Sequence, residues 1–310
     1  MLCPGPSDSS LPGGDNLPGL MEIPPAPYLP TSDPEVVEST PLSRSGWYED
    51  GQHGGLVAGL LARAVEAVPT LTPMEIARLT VDIFRVVPAV PLRVTTSTIR
   101  EGKRIQLVRA RLRAGDTELA QATAMRLRTA DRPPPSAALP DPALLPVPVA
   151  EASPVDMERV GVGVGGRPYF HRHGVEMRQA EGELDKPGPG AVWMRIVTPM
   201  VAGEELTPLL RAVICSDHGN GTSSVLPPSW VFMNADLNVH LLRMPAGEWV
   251  GLRSVSWFAD LGRGMSYSQL FDTGGVIGSS VQTLFADYRN ALPGTMAAPR
   301  LLPNVKRTPG

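Results

Sequence analysis

The segment 54–68 constrains the fold more than any other part of this sequence. It contains the residues GGLVAGLLARAVEAV, is apolar on nearly all sides, and stops at Pro69. A helix without a broad polar face is a buried helix. Four runs with strand character follow at 79–87, 92–100, 104–113 and 117–128, separated by turn residues. Because the helix needs apolar cover on several sides, this order predicts an antiparallel sheet wrapped around it.

The same order of elements recurs later in the chain. Thr207 places a capping hydroxyl before Pro208 at the first helical position, and a mostly apolar run continues to Gly219. Strand-like runs follow at 229–243, 248–258, 264–271 and 276–285. The recurrence lies in the order of elements rather than in sequence identity, and it predicts two units of one architecture.

Two proline-rich stretches separate these units from their surroundings. Ten prolines lie between Pro4 and Pro41, and eight lie between Pro133 and Pro154. Such segments bury too little apolar surface to offset the entropy of ordering them. We therefore expect a disordered tail over 1–42, a folded unit over 43–130, a linker over 131–154, a second folded unit over 155–290 and a C-terminal tail over 291–310.

Charge and cysteine content narrow the class of partner. The balance of 28 basic and 31 acidic residues gives a net charge of -3, which does not indicate a nucleic-acid partner. No run of about 18 apolar residues is present, so we expect no membrane insertion. Cys3 and Cys215 are the only cysteines and cannot form a multi-bridge framework, so we expect a reduced, cytoplasmic setting.

Short motifs spread over 46–285 carry a resemblance to a known family. In the first unit they are His53-Gly54-Gly55 and parts of the stretch 84–123; in the second they are Ser216-Asp217 and the segments 234–240, 247–249 and 280–282. In their order and spacing these motifs resemble those of the tandem hotdog acyl-CoA thioesterases. The resemblance implies an α+β fold of two tandem hotdog domains, each an antiparallel sheet wrapped around a buried helix. It also implies hydrolysis of acyl-CoA thioesters to free fatty acid and CoA.

The resemblance implies a catalytic set of three residues. Family members hold and activate a water with an Asp late in the second helix, a Thr or Ser in the next strand and a Gln in the last strand, which correspond here to Asp217, Asn234 and Gln282. Asn234 departs from the hydroxyl pattern, and because an amide is not a base, Asp217 must accept the proton. Gly278 and Ser280 share the strand face of Gln282 and are expected to leave room beside it for a ligand. The residues alone leave three simpler alternatives open, the first being that Gln282 is exposed, as a lone strand Gln usually is. Asp217 can be a solvated helix-end residue, and strand alternation places Asn234 with Asp236 on a face that solvent can cover.

Glycines at the start of the first helix are candidates for binding the thioester carbonyl. The backbone N–H groups of Gly54 and Gly55 can polarise it, because a helix N-terminus favours negative charge; their simpler role is tight packing of the helix. No carboxylate lies between His53 and Arg63, so we expect one working site per chain.

No metal or redox cofactor is expected from the sequence. His171 and His173 lack a Cys or carboxylate at metal-ligand spacing, and the GxGxxG match at 161–166 has no strand-like run before it. Two other functions stay open: a non-catalytic acyl-CoA or acyl-chain binding protein, and a hotdog enoyl-CoA hydratase, suggested by the Asp, Asn and His within 236–240. A homo-oligomer also remains open.

Overall fold

A computed structural model describes residues 22–46, 51–130, 132, 135, 145–156, 168–227 and 229–288. Residues 1–21 of the expected N-terminal tail, the C-terminal tail 291–310, half of the expected linker 131–154 and the glycine-rich segment 161–166 lie outside these ranges.

The described residues form one large antiparallel sheet with a few helices, an α+β architecture. The elements of the first half are β1 (Tyr28–Pro30), β2 (Val36–Ser39), α1 (Gly54–Glu66), β3 (Met74–Ile83), β4 (Leu92–Arg100), β5 (Ile105–Ala114) and β6 (Thr117–Arg128). Those of the second half are β7 (Ser153–Pro154), α2 (Phe170–His173), β8 (Val175–Glu181), β9 (Gly190–Ile196), α3 (Pro208–Ser216), α4 (Gly219–Thr222), β10 (Trp230–Asn234), β11 (Asp236–Leu241), β12 (Trp249–Phe258), β13 (Arg263–Asp272) and β14 (Gly275–Tyr288).

The sheet is continuous across the two halves. Its strand order is β1-β2-β4-β5-β6-β3-β11-β14-β13-β12-β9-β8-β7, with β10 paired to β14. The antiparallel pairing of β3 with β11, from Asp236 opposite Asp82 to His240 opposite Arg78, joins the halves. Within the described ranges, no helix combines the length and the apolar character that crossing a bilayer requires.

Helices α1 and α3 pack directly against each other, and the glycines of α1 permit the contact. A Cβ built on Gly55 lies 2.6 Å from the carbonyl oxygen of Ile214, and one built on Gly59 lies 3.1 Å from the Ile214 side chain. Both helices bury most of their side chains, as expected for helices without a broad polar face. The packing brings the N-terminus of α1 beside the C-terminus of α3.

Both helix starts follow from their capping residues. The His53 ring accepts a hydrogen bond from the N–H of Gly55 at 3.1 Å, and the Thr207 hydroxyl accepts one from the N–H of Leu210 at 3.3 Å. Pro208 then opens α3 as the sequence predicts. Helix α3 ends at Ser216, and Asp217 is its C-cap residue.

The expected disordered tail over 1–42 is wrong for residues 22–42. These residues form β1, β2 and a 3-10 turn, and Tyr28 is completely buried. The Tyr28 hydroxyl donates to the Gln52 side chain at 2.6 Å, and its N–H donates to the carbonyl of Met200 at 3.1 Å. The prolines fit here because this short ribbon forms the edge of the sheet, where Pro is tolerated.

The second half is more divided than the sequence predicts. Strands β12, β13 and β14 lie where strands are expected, whereas the expected strand 229–243 is split into β10 and β11, and β8 and β9 are additional. The end of the expected linker belongs to this half as well. The Trp193 indole donates to the carbonyl of Val147 at 2.8 Å, and Ala152 packs against the same cluster as Trp193.

Candidate functional site

A buried carboxylate at the C-terminus of α3 is the centre of the candidate site. The side chain of Asp217 is only 6% exposed. Its Oδ1 accepts hydrogen bonds from the Asn234 amide at 2.9 Å and from the Gln282 amide at 3.1 Å. The three residues named from the sequence therefore meet at one carboxylate oxygen, although they come from α3, β10 and β14. The bland interpretation of Asp217 as a solvated helix-end residue does not hold.

A β-bulge aims Asn234 at Asp217. Asn234 lies opposite Leu284, while Asn238 lies opposite Val281, so four steps along β10 and β11 match three along β14. The extra residue reverses which face each side chain occupies. Asn234 consequently shares the inner face with Gln282, whereas Asp236 and Asn238 lie on the outer face. The alternative that groups Asn234 with Asp236 on one solvent-facing strand surface is wrong for this reason.

Gln282 is fixed on both sides of its amide. Its Nε2 also donates to the backbone carbonyl of Asp217 at 3.0 Å, and its Oε1 accepts from the N–H of Asn220 at 3.3 Å. The neighbouring Gly278 does not leave room for a ligand: a Cβ there lies 2.0 Å from the carbonyl oxygen of His240, so the space holds strand β11. Gly219 of α4 fills the space beside Gln282 in the same way.

The electrostatics of Asp217 reflect its burial. Desolvation raises its pKa from 3.8 to about 6, against the opposing effect of hydrogen bonds from Asn234, Gly55 and Gln282. Its position at the negative end of the α3 dipole also disfavours the charged form. The site therefore holds a carboxylate that accepts a proton more readily than an exposed Asp does.

The N-terminus of α1 lies against the other oxygen of this carboxylate. A Cβ built on Gly54 comes 2.8 Å from Asp217 Oδ2, so only glycine fits there without displacing the carboxylate. The His53 Nδ1 lies 3.5 Å from the same oxygen. The candidate site thus contains residues from both halves of the chain.

The sequence did not predict that three histidines lie together at this site. His53, His171 and His218 converge beside Asp217, and burial lowers the pKa of each ring; that of His218 falls to about 4. They are therefore neutral near pH 7. The sequence carries no local signal for this group, because its members are separated by 118 and 47 positions.

The first half of the chain does not repeat the site. The C-cap residue of α1, which corresponds to Asp217, is Ala67. In β6, the last strand of the first half, Arg126 takes the place that Gln282 has in β14: its guanidinium donates to three carbonyl groups at the C-terminal end of α1 at 2.6–2.8 Å. An alanine and an arginine in these places stabilise a helix end and offer no proton acceptor.

Comparison with known proteins agrees with this architecture. The family model of the acyl-CoA thioesterase N-terminal domain matches residues 43–127, and that of the acyl-CoA thioesterase C-terminal domain matches residues 146–286. No curated protein sequence matches the chain significantly.

Solved structures share the fold at low sequence identity. They include a candidate thioesterase II of Thermobifida fusca (TM-score 0.63, 15% identity, 87% of this chain and 100% of that one), a protein of unknown function with a hotdog fold from Alicyclobacillus acidocaldarius (0.62, 16%, 83% and 95%) and the acyl-CoA thioesterase II TesB2 of Mycobacterium marinum (0.59, 17%, 85% and 96%). Together the two family models cover most of the sequence, and the chain therefore belongs to the acyl-CoA thioesterase family, whose members are thioester hydrolases.

Proposed function

We propose that this chain hydrolyses acyl-CoA thioesters to a free fatty acid and CoA by direct attack of a water, with Asp217 as the general base. The observation that carries the proposal is the arrangement around Asp217. Two amide side chains from different strands donate to one oxygen of a carboxylate that is almost completely shielded from solvent. These donors hold the carboxylate in one orientation, and Oδ2 keeps the capacity to accept a proton.

This geometry supports the following reaction. The water gives a proton to Asp217 while its oxygen bonds to the thioester carbonyl carbon, which produces a tetrahedral oxyanion. Collapse of that intermediate breaks the carbon–sulfur bond, and the proton on Asp217 passes to the departing CoA sulfur. Atoms and charge balance without any other reactant.

The oxyanion needs hydrogen-bond donors, and the start of α1 lies against Asp217 Oδ2. The first N–H groups of a helix have no intrahelical acceptor and favour negative charge. The Gly55 N–H is already engaged by the His53 ring. We therefore assign the carbonyl-polarising role to the N–H of Gly54, with Gly55 keeping the helix start in place.

Asn234 is compatible with the role that a hydroxyl fills in the family. Its Nδ2 donates to Asp217, and its buried Oδ1 has no hydrogen-bond partner among the described residues. A carbonyl oxygen in that position accepts a hydrogen from the attacking water and turns one of the water lone pairs towards the substrate. Asn234 thus positions the nucleophile without acting as a base.

The two rival functions make different demands on the structure. A hydratase site at 236–240 is disfavoured, because Asp236 and Asn238 lie on the outer face of the sheet and His240 is exposed. A non-catalytic acyl-CoA binding protein would not need a proton acceptor held by two amides in a buried position. Hydrolysis is the function that makes use of this arrangement.

Thiol release from acyl-CoA substrates of graded chain length tests the proposal. Purified protein should release free CoA thiol, and Asn234→Thr should keep or raise the rate because a hydroxyl restores the family's residue. Asn234→Leu has similar volume but cannot bind water, and should lower kcat by about 10-fold or more. Saturable acyl-CoA binding without thiol release from any chain length would favour the binding protein instead.

A further inference from the structure

Three of the five histidines of this chain meet at one point beside the candidate site. The ring centroids of His53, His171 and His218 are 4.4–5.1 Å apart in the three pairs. One nitrogen from each ring lies within 4.8 Å of the other two. We propose that these three imidazoles form a binding site for one divalent late transition-metal cation of the Zn²⁺ type, an assignment separate from thioester hydrolysis.

The hydrogen bonding of His218 prepares it as a ligand. Its Nδ1 lies 3.2 Å from the carbonyl oxygen of Cys215. Because a carbonyl only accepts, Nδ1 carries the proton, and Nε2 holds a free lone pair. This Nε2 is buried and has no hydrogen-bond partner among the described residues, and the residue is 3% exposed. A metal-bound histidine typically has this arrangement, with its second nitrogen donating to a backbone carbonyl.

His171 shows a second unsatisfied nitrogen. Its Nδ1 is also buried without a partner in the described part of the chain. Leaving a buried polar atom unsatisfied costs about 1–3 kcal/mol. Two such atoms lie in one cluster of three rings, and ring packing gives neither of them a hydrogen-bond partner. A shared cation satisfies both at once.

His53 contributes the third ligand and the link to Asp217. Its Nδ1 lies 3.1 Å from the Gly55 nitrogen and 3.5 Å from Asp217 Oδ2, so Nε2 is the nitrogen left for a metal. When Nε2 binds a cation, the ring proton moves to Nδ1 and faces the Asp217 carboxylate. The Gly55 N–H then loses the ring as its acceptor and keeps its hydrogen bond to Asp217. The result is a carboxylate–histidine–metal relay, a common way to orient a ligating imidazole.

The chemistry of the three ligands selects the cation. Neutral imidazole suits Zn²⁺, Co²⁺, Ni²⁺ and Cu²⁺, whereas Mg²⁺ and Ca²⁺ prefer oxygen ligands. Zn–N bonds of about 2.0–2.1 Å put the nitrogens of a tetrahedral site roughly 3.3 Å apart. The rings must therefore close by about 1.5 Å from the widest observed spacing, which small side-chain rotations provide. The sequence predicts no metal site because His171 and His173 lack a further ligand close to them in sequence. The three ligands proposed here come from three separate segments.

Metal titration of the full-length, chelator-treated protein tests the assignment. Isothermal titration with ZnCl₂ should give one site per chain, CoCl₂ should produce visible d–d absorption, and MgCl₂ should give no binding. His171→Ala, which removes one ligand outside the proposed catalytic set, should weaken Zn²⁺ binding roughly 10-fold or more. His173→Ala is the matched control, because His173 lies on the same short helix and its Nδ1 contacts the backbone of Tyr169.

Circular dichroism and thermal melting test whether both variants are folded. If His171→Ala is unfolded, His171→Gln replaces it, since the amide keeps much of the volume but is a poor ligand for Zn²⁺. Selective loss of Zn²⁺ binding and of the Co²⁺ spectrum in the His171 variant supports the site. Absence of Zn²⁺ binding by the wild-type protein, or equal binding by the wild-type and His171 variants, overturns it.

Discussion

The substitution Asp217→Asn separates the chemistry of the site from its stability. The amide keeps nearly the same shape, and its oxygen can still accept from Asn234 and Gln282, but it takes no proton. We therefore expect kcat for thiol release to fall by about 100-fold or more. Asp260→Asn is the control, because Asp260 is exposed in the turn between β12 and β13 and should leave the rate unchanged.

The same substitution should not destabilise the protein. Burial raises the pKa of Asp217 from 3.8 to about 6. At pH 7 the residue is mostly ionised, so holding the charge in the folded state costs on the order of 3 kcal/mol, at about 1.4 kcal/mol per pKa unit. Part of that cost is relieved in the neutral variant, so Tm should stay level or rise by a few degrees.

Steady-state kinetics and thermal melting of metal-free protein give kcat and Tm of this variant. We expect a lower kcat together with an unchanged or higher Tm. Folded Asp217→Asn protein with unchanged thiol release would refute the assignment of the base. A fall in activity that merely tracks a lower Tm would indicate that Asp217 is structural.

Three further substitutions or deletions have defined outcomes. Gly54→Ala puts a Cβ 2.8 Å from Asp217 Oδ2 and should lower kcat about 10-fold or more in a folded protein, whereas Gly221→Ala, with no atom within 4 Å of its Cβ, should leave kcat unchanged. Deleting residues 1–40 removes the buried Tyr28 and should lower Tm markedly, while deleting 1–21 should not; equal melting of the two proteins would contradict the role of β1 and β2. Asp272→Asn weakens a fully buried carboxylate that binds Arg243 and two backbone N–H groups, and should cost about 2 kcal/mol or more in urea unfolding; unchanged stability would show that the ion pair is dispensable.

Local patterns predicted a good part of the fold. The apolar runs at α1 and α3, the Thr207–Pro208 helix start and the strands after each helix are all periodic or capping signals within a few residues of one another. The contact between Asp217 and Gln282 was also predictable. The family resemblance pairs the end of the second helix with the inner face of the last strand.

Features that depend on contacts between distant segments were missed or misjudged. The burial of Tyr28 depends on contacts with Gln52 and Met200, which are distant in sequence. The local sequence shows only its high proline content, and that content predicted disorder. The orientation of Asn234 depends on a bulge set by register with β14, which strand alternation does not reveal. The histidine cluster combines rings from three segments and has no spacing signal at all.

Isotope labelling in a single turnover tests the central claim that Asp217 activates water rather than attacking the thioester itself. Enzyme in excess over acyl-CoA is allowed one turnover in H₂¹⁸O, and mass spectrometry reads the fatty acid and the peptide that contains Asp217. Direct attack of water predicts one ¹⁸O in the fatty acid carboxylate and none in Asp217. An unlabelled fatty acid together with ¹⁸O in Asp217 would mean that a covalent acyl-aspartate forms, and would contradict the proposed mechanism.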